Sequence, residues 1–221
     1  AAGLLTGSAA ASGDVSAVGT PPAAPRLTRT VAAALPIPAP LVDPGIGLRA
    51  GPAAVALELA LPSLGVRASV TGVGITRNNV MDAPTGAADD PIWQQAFWYR
   101  GSAVPGALST ALIAGHIDGP RGLPAVFAHL DLLRPGDPVV VRDTRTGLDV
   151  RFAVTGTRAY TLEETTHPDV LREIYGRGPV EATTPQESAD GLAHLTLITC
   201  AGTFRDGTHD HRLVVSATRT A

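Results

Sequence analysis

Cys200 is the only thiol in the 221-residue chain. It closes the run Leu195-Thr196-Leu197-Ile198-Thr199-Cys200, whose alternation is that of a strand with two buried faces. A Gly- and Asp-rich stretch, Ala201 to His211, follows and reads as a loop. Arg212 then opens the apolar run Leu213-Val214-Val215, a second strand. Pairing these strands as an antiparallel hairpin puts Cys200 and Arg212 at one rim of a sheet. A thiol attacks carbonyls as its thiolate, and a neighbouring guanidinium favours that charge. A small buried cysteine beside a surface arginine is the alternative, since lone cysteines are common in cores. His116 supplies the third group. It ends the continuous apolar run Ala111-Leu112-Ile113-Ala114 and precedes the turn Asp118-Gly119-Pro120. Strand ends expose functional side chains on a rigid scaffold, although a histidine taken alone is more often structural. Asp118 suits either the turn or the orientation of the imidazole.

Around these residues the chain reads as mostly strand. Residues 1–52 are rich in Ala, Gly, Pro, Ser and Thr and are expected to form a linker or a partly packed extension. Val31 to Ile37 and Leu41-Val42 are more apolar than a free linker needs. The catalytic domain is expected over 53–221. Val55, Leu57, Leu59 and Leu61 give a half-buried strand. Asp90 before Pro91 caps a short helical turn. Phe97-Trp98-Tyr99 is apolar and by default packs in the core. Leu123 to Leu133 reads as a short helix, on which His129 is a surface or packing residue. Val139-Val140-Val141 and the alternating Leu148 to Val154 form a hairpin around Asp143 to Gly147. Within the long connection 160–192, Pro168 to Tyr175 has helical spacing and Gly176 stops it.

Composition sets bounds. The hydrophobic fraction is 44%, enough for a sizeable core, and the length suits one domain with a tail. Net charge is −3, and all 17 basic residues are arginine, so nothing points to nucleic acid or an anionic membrane surface. One cysteine excludes an internal disulfide and a cysteine-cluster metal site. No apolar run is long enough to span a membrane.

Thr196-Leu197-Ile198-Thr199-Cys200 resembles T-L-x-T-C, the active-site signature of sortases, and Arg212 falls where that family keeps its arginine. Ala114-Gly115-His116 resembles the family's histidine segment. Leu61 to Val66 resembles the I-P-x-L-G-V opening of actinobacterial sortases, with Leu61 in place of the first Ile. Phe97-Trp98-Tyr99 with Gly101 and Pro105-Gly106 resembles class F first and class E second. The pattern from Leu130 through Pro135-Gly136-Asp137 to Val141 is also similar. The resemblance covers roughly 55–219, with His, Cys and Arg in family order. It implies a closed antiparallel β-barrel of roughly eight strands with short helices. The implied activity is a cofactor-free cysteine transpeptidase. His116, Cys200 and Arg212 would be catalytic, and Ala114, Ile198, Thr199 and Trp98 would bind substrate. Partners would be surface proteins bearing L-P-x-T-G-like or L-A-x-T-G-like signals and an amine acceptor such as a peptidoglycan precursor. The expected location is the outer face of the plasma membrane, through an N-terminal anchor lying outside this sequence.

Glu163, Glu164 and Asp169 lack the spacing of a defined calcium loop, and no metal is expected. Leu35-Pro36-Ile37-Pro38 begins like a sorting signal, which raises a pseudo-substrate role, with a plain linker the simpler reading. Papain-like peptidases place Cys before His, the reverse of this order. L,D-transpeptidases resemble S-H-G-C at the nucleophile, which Leu197 to Cys200 does not match. A non-enzymatic surface domain with a metal at His209-Asp210-His211 would need further ligands.

Overall fold

The computed structural model describes residues 36–179 and 184–220. Eight strands account for most of them: β1 (Ala53–Leu61), β2 (Val66–Val73), β3 (Ala96–Tyr99), β4 (Thr110–Gly115), β5 (Pro138–Asp143), β6 (Asp149–Thr161), β7 (His194–Arg205) and β8 (Thr208–Arg219). One α-helix, α1 (Pro168–Tyr175), lies between β6 and β7. The strands close into a barrel in the order β1-β2-β3-β4-β7-β8-β6-β5.

The barrel is mixed rather than antiparallel. β2 pairs parallel with β3, and β4 parallel with β7. A parallel neighbour needs a crossover connection, which a tight hairpin cannot supply. The segment 74–95 provides one crossover, and the chain from β4 around β5, β6 and α1 provides the other.

Alternation decides which side chains fill the barrel. Leu59, Leu61, Ile113, Val139, Phe152, Leu195, Leu197 and Val215 are buried together in the interior. On the outer side of β4, β7 and β8, Leu112 and Val214 form a second cluster with Tyr160 of β6 and Ile174 of α1. Met81, Tyr99, Val170, Tyr175 and Ile198 pack against it. The helix therefore roofs part of the outer face. It begins at Pro168, whose missing N–H costs nothing in a first turn, and ends at Gly176 with φ of 74°.

Two expected elements differ. Leu123 to Leu133 forms no helix, only a 3₁₀ turn at Leu130–Leu132. The amides of Ala125, Val126 and Phe127 donate instead to the carbonyls of Ile117, Trp93 and His116. Long-range partners thus outcompete local ones here. The loop expected over Ala201 to His211 is largely strand. β7 and β8 continue to a two-residue turn at Asp206-Gly207, both with positive φ (51° and 82°). That conformation matches the twist of a two-residue hairpin and favours Asp-Gly.

Residues 37–41, ahead of β1, pack on the barrel, while the part of the expected extension over 1–35 lies outside the described residues. Ile37 and Leu41 belong to the interior cluster, at 2% and 8% exposure. Arg145, in the β5–β6 turn, donates to the carbonyls of Pro38 and Pro40 and forks onto the fully buried Asp143.

Candidate active site

Cys200 of β7 stands directly opposite Arg212 of β8, and Arg212 opposite Tyr160 of β6. Neighbouring strands are about 4.8 Å apart, so thiol and guanidinium share one face. It is the outer face, because Thr199 is turned inward with Leu195 and Leu197 at 3% exposure. The parallel β4–β7 ladder pairs Leu112 with Thr196 and Ala114 with Ile198. Two residues further, His116 follows the end of β4 at the level of Cys200. The three chemically capable groups therefore gather at one rim from three segments far apart in sequence.

His116 is held from three sides. Its Nε2 lies 2.8 Å from the Pro84 carbonyl oxygen. A carbonyl only accepts, so Nε2 carries the proton and Nδ1 is the nitrogen left to exchange one. The rings of Trp93 and Phe97 pack against the imidazole at centroid distances of 4.8 and 5.4 Å. Asp90, accepting from the Ile92 amide, caps the turn that carries Trp93. Gly115 makes room behind the histidine, since a Cβ there would lie 2.5 Å from the Phe127 ring.

Arg212 donates through Nη1 to the carbonyls of His211 (2.8 Å) and His209 (3.2 Å). Its remaining nitrogens have no protein acceptor among the described residues. The guanidinium is thus anchored by one nitrogen, with donors to spare. Burial pushes the Cys200 thiol up from its ordinary range; Arg212 opposes this, and Asp118 adds to it. Asp118 Oδ1 also lies 3.4 Å from His209 Nε2, linking the histidine loop to the β7–β8 hairpin.

The residues expected to bind substrate are distributed over both faces. Ala114 and Ile198 line the outer face beside Cys200. Thr199 points into the barrel, where its hydroxyl has no hydrogen-bond partner. Trp98 is 4% exposed within the interior cluster, and its indole N–H donates to the Ala103 carbonyl. Its neighbour Tyr99 reaches the outer face and meets Tyr175 edge-on at 5.7 Å. Sequence reasoning missed Pro84, whose contribution is a main-chain carbonyl that no residue type signals. It missed Tyr175 as well, although its place at the end of an amphipathic helix was legible.

His211 pairs with Asp210, and His209 with Asp118. Glu164 accepts from the amide and hydroxyl of Thr161, and Asp169 pairs with Arg172. Among the described residues no group of three metal-ligating side chains converges.

The sortase domain family matches residues 59–220. The chain belongs to the sortase family. It is a cysteine transpeptidase of cell-wall sorting, acting at the cell surface on proteins that carry sorting signals and on an amine nucleophile. Among solved structures, a lid mutant of sortase A from Corynebacterium diphtheriae is similar over 82% of this chain and 84% of its own, at 17% identity and a TM-score of 0.51. Sortase C-1 from Actinomyces oris is similar over 75% of this chain and 73% of its own, at 18% identity and a TM-score of 0.49. These likenesses concern the fold. No curated protein is close enough in sequence to match.

Proposed function

We propose that Cys200, His116 and Arg212 carry the sortase reaction, on an L-P-x-T-G-like or L-A-x-T-G-like signal. The observation that carries this is the register: Cys200 faces Arg212 across β7 and β8, with His116 at the same rim. In the first half-reaction the Cys200 thiol gives its proton to His116 Nδ1 as Sγ adds to the scissile carbonyl carbon. The carbonyl oxygen gains charge beside the free donors of Arg212. The C–N bond then breaks, and His116 Nδ1 gives a proton to the departing amine, leaving a thioester. In the second, the acceptor amine adds to the thioester carbon and returns its proton to His116. The C–S bond breaks, the departing sulfur takes that proton from His116 Nδ1, and a new amide and the free thiol remain. No electrons are transferred and no cofactor is required.

Because burial keeps the thiol pKa high, the free enzyme holds little thiolate at neutral pH. Arg212 is the one charge identified as lowering it. The acceptor is read as a peptidoglycan-precursor amine, and an N-terminal membrane anchor would hold the domain at its substrate. Class F, with class E second, rests on the Trp98-Tyr99 and Pro105-Gly106 segments.

Mass spectrometry of the protein incubated with sorting-signal peptides tests the reading. A thioacyl adduct on Cys200 is expected, absent in Cys200→Ala. Continued cleavage by pure Cys200→Ala protein would refute the cysteine mechanism.

A further inference from the structure

In the strand order, β7 lies between β4, which leads to His116, and β8, which carries Arg212. A side-chain contact crosses β7 just beyond Cys200. Asp118, two residues after His116, places Oδ1 3.4 Å from His209 Nε2. His209 pairs with Phe204, past the bulge that follows Ala201. It is held on several sides. Its side chain is 11% exposed, its ring meets Phe204 edge-on at 5.1 Å, and its carbonyl accepts from Arg212 Nη1. Its Nδ1 is buried without a partner, so the ring bonds only to Asp118. Asp118 is therefore pinned through one oxygen. Its side chain is 39% exposed, and Oδ2 has no hydrogen bond among the described residues.

This carboxylate does not serve the first half-reaction. Arg212 and Asp118 are the charges felt at the Cys200 thiol, and Asp118 opposes the thiolate. The second half-reaction makes the opposite demand. Sulfur is then a neutral thioester, and the acceptor is a primary amine, which near neutral pH arrives largely as an ammonium. Arg212 repels that cation, and a neighbouring anion offsets the repulsion. An ammonium carries three donors, and a carboxylate with an open oxygen accepts from it in a charge-assisted hydrogen bond. Asp210, the neighbouring carboxylate on β8, is already taken by His211 and the Thr203 amide.

We propose that Asp118, steadied by His209, recognises the acceptor, holding the ammonium of the incoming amine beside the thioester on Cys200. This rests on the function proposed above. The bound ammonium releases one proton to water. The resulting amine forms its C–N bond and gives a second proton to His116 Nδ1, from which the departing sulfur takes it. Water, the competing nucleophile, carries no charge, so Asp118 favours transfer over hydrolysis.

The test follows both half-reactions with a sorting-signal peptide as donor and triglycine amide as acceptor. Thioacyl enzyme, transfer product and hydrolysis product are quantified by mass spectrometry. Asp118→Asn keeps an oxygen that accepts from His209 and removes only the charge. Its two effects should have opposite signs. Thioacyl formation should be faster than in wild type, because the thiolate is favoured. The ratio of transfer to hydrolysis at subsaturating amine should fall about fivefold, the scale of a partly exposed ion pair. Asp118→Glu should recover part of that ratio, and added salt should narrow the gap between wild type and Asp118→Asn. N-terminally trimethylated triglycine amide, a cation that cannot react, should compete with the amine in wild type and not in Asp118→Asn. The neutral N-acetylated form should compete in neither. An unchanged transfer-to-hydrolysis ratio in Asp118→Asn, or thioacyl formation and transfer slowed alike, would overturn the assignment and leave the function of Cys200 standing. A wild type that forms no thioacyl adduct would overturn that function, and this assignment with it.

Discussion

At the residue scale the site pairs one thiol with one guanidinium that has donors in reserve. Losing an oxyanion donor costs on the order of 10²–10³ in rate. Arg212→Ala should lower kcat by about that much, with little change in melting temperature, because only carbonyl contacts of Nη1 are lost. Arg212→Lys should recover part of the rate, since an ammonium restores charge without the planar fork. Arg205, at the far end of the hairpin, is the control, and near-native turnover in both Arg212 variants would remove that residue from the chemistry. Asp118 acts on the thiol in the opposite sense to Arg212. Removing its charge lowers the Cys200 pKa and raises the thiolate fraction at neutral pH. Iodoacetamide should therefore modify Cys200 faster in Asp118→Asn than in wild type, with the rate profile displaced toward lower pH. An unmoved profile would show that Asp118 serves only to bridge His209.

At the scale of elements, the histidine depends on a glycine. Gly115 ends β4 with the Phe127 ring close behind it. Gly115→Ala places a methyl where the buried Phe127 cannot easily yield. Overpacking of this kind costs about 1–3 kcal/mol. It also displaces the strand end from which His116 projects. Chemical denaturation should show that loss, and kcat should fall further than Arg205 replacement achieves. A Gly115→Ala variant with native stability would mean that Phe127 moves aside freely. The β7–β8 hairpin teaches the complementary lesson. Its polar stretch from Ala201 to His211 reads as loop by composition, yet it continues the ladder, because Asp206-Gly207 alone can reverse the chain. A bulge between Ala201 and Phe204 sits just beyond Cys200 and re-aims the strands there.

At the scale of the molecule, residues 38–40 ahead of β1 are tied down through Arg145. The Asp143 carboxyl is fully buried, and hydrogen bonds from Arg145 hold it below the usual carboxylate range. Arg145→Ala leaves that carboxylate buried without its partner and frees the carbonyls of Pro38 and Pro40. Breaking a buried pair costs about 3–5 kcal/mol. The low end applies here, because the Arg145 side chain is 40% exposed. The pH dependence follows from the depressed value. The pair stabilises fully above the unfolded carboxyl's pKa of about 3.9, and its contribution disappears as pH falls through the lower folded value. Urea unfolding between pH 6 and pH 2 should thus show a steeper acid loss in wild type than in Arg145→Ala. Parallel curves would exclude the pair as the source.

The sequence by itself determined the strand segments with strong alternation, the helix between Pro168 and Gly176, and the short list of residues able to do this chemistry. Those depend on periodicity, caps and residue type, which are local properties. Only the tertiary structure decided which strands lie side by side. Parallel pairing of β4 with β7 brings His116 level with Cys200 across more than eighty residues of chain, and no local pattern encodes that register. Nor does local pattern tell that Thr199 and Trp98 pack with the interior while Tyr99 packs against the outer-face cluster, since closure of the barrel assigns inside and outside. The Pro84 carbonyl on His116 and the Arg100 guanidinium, bonded through Nη2 alone, belong to the same class. Every residue has a backbone carbonyl, and seventeen arginines look alike in sequence. Packing alone selects the carbonyl that fixes a tautomer and, among the described residues, the arginine whose Nε and Nη1 are buried without an acceptor.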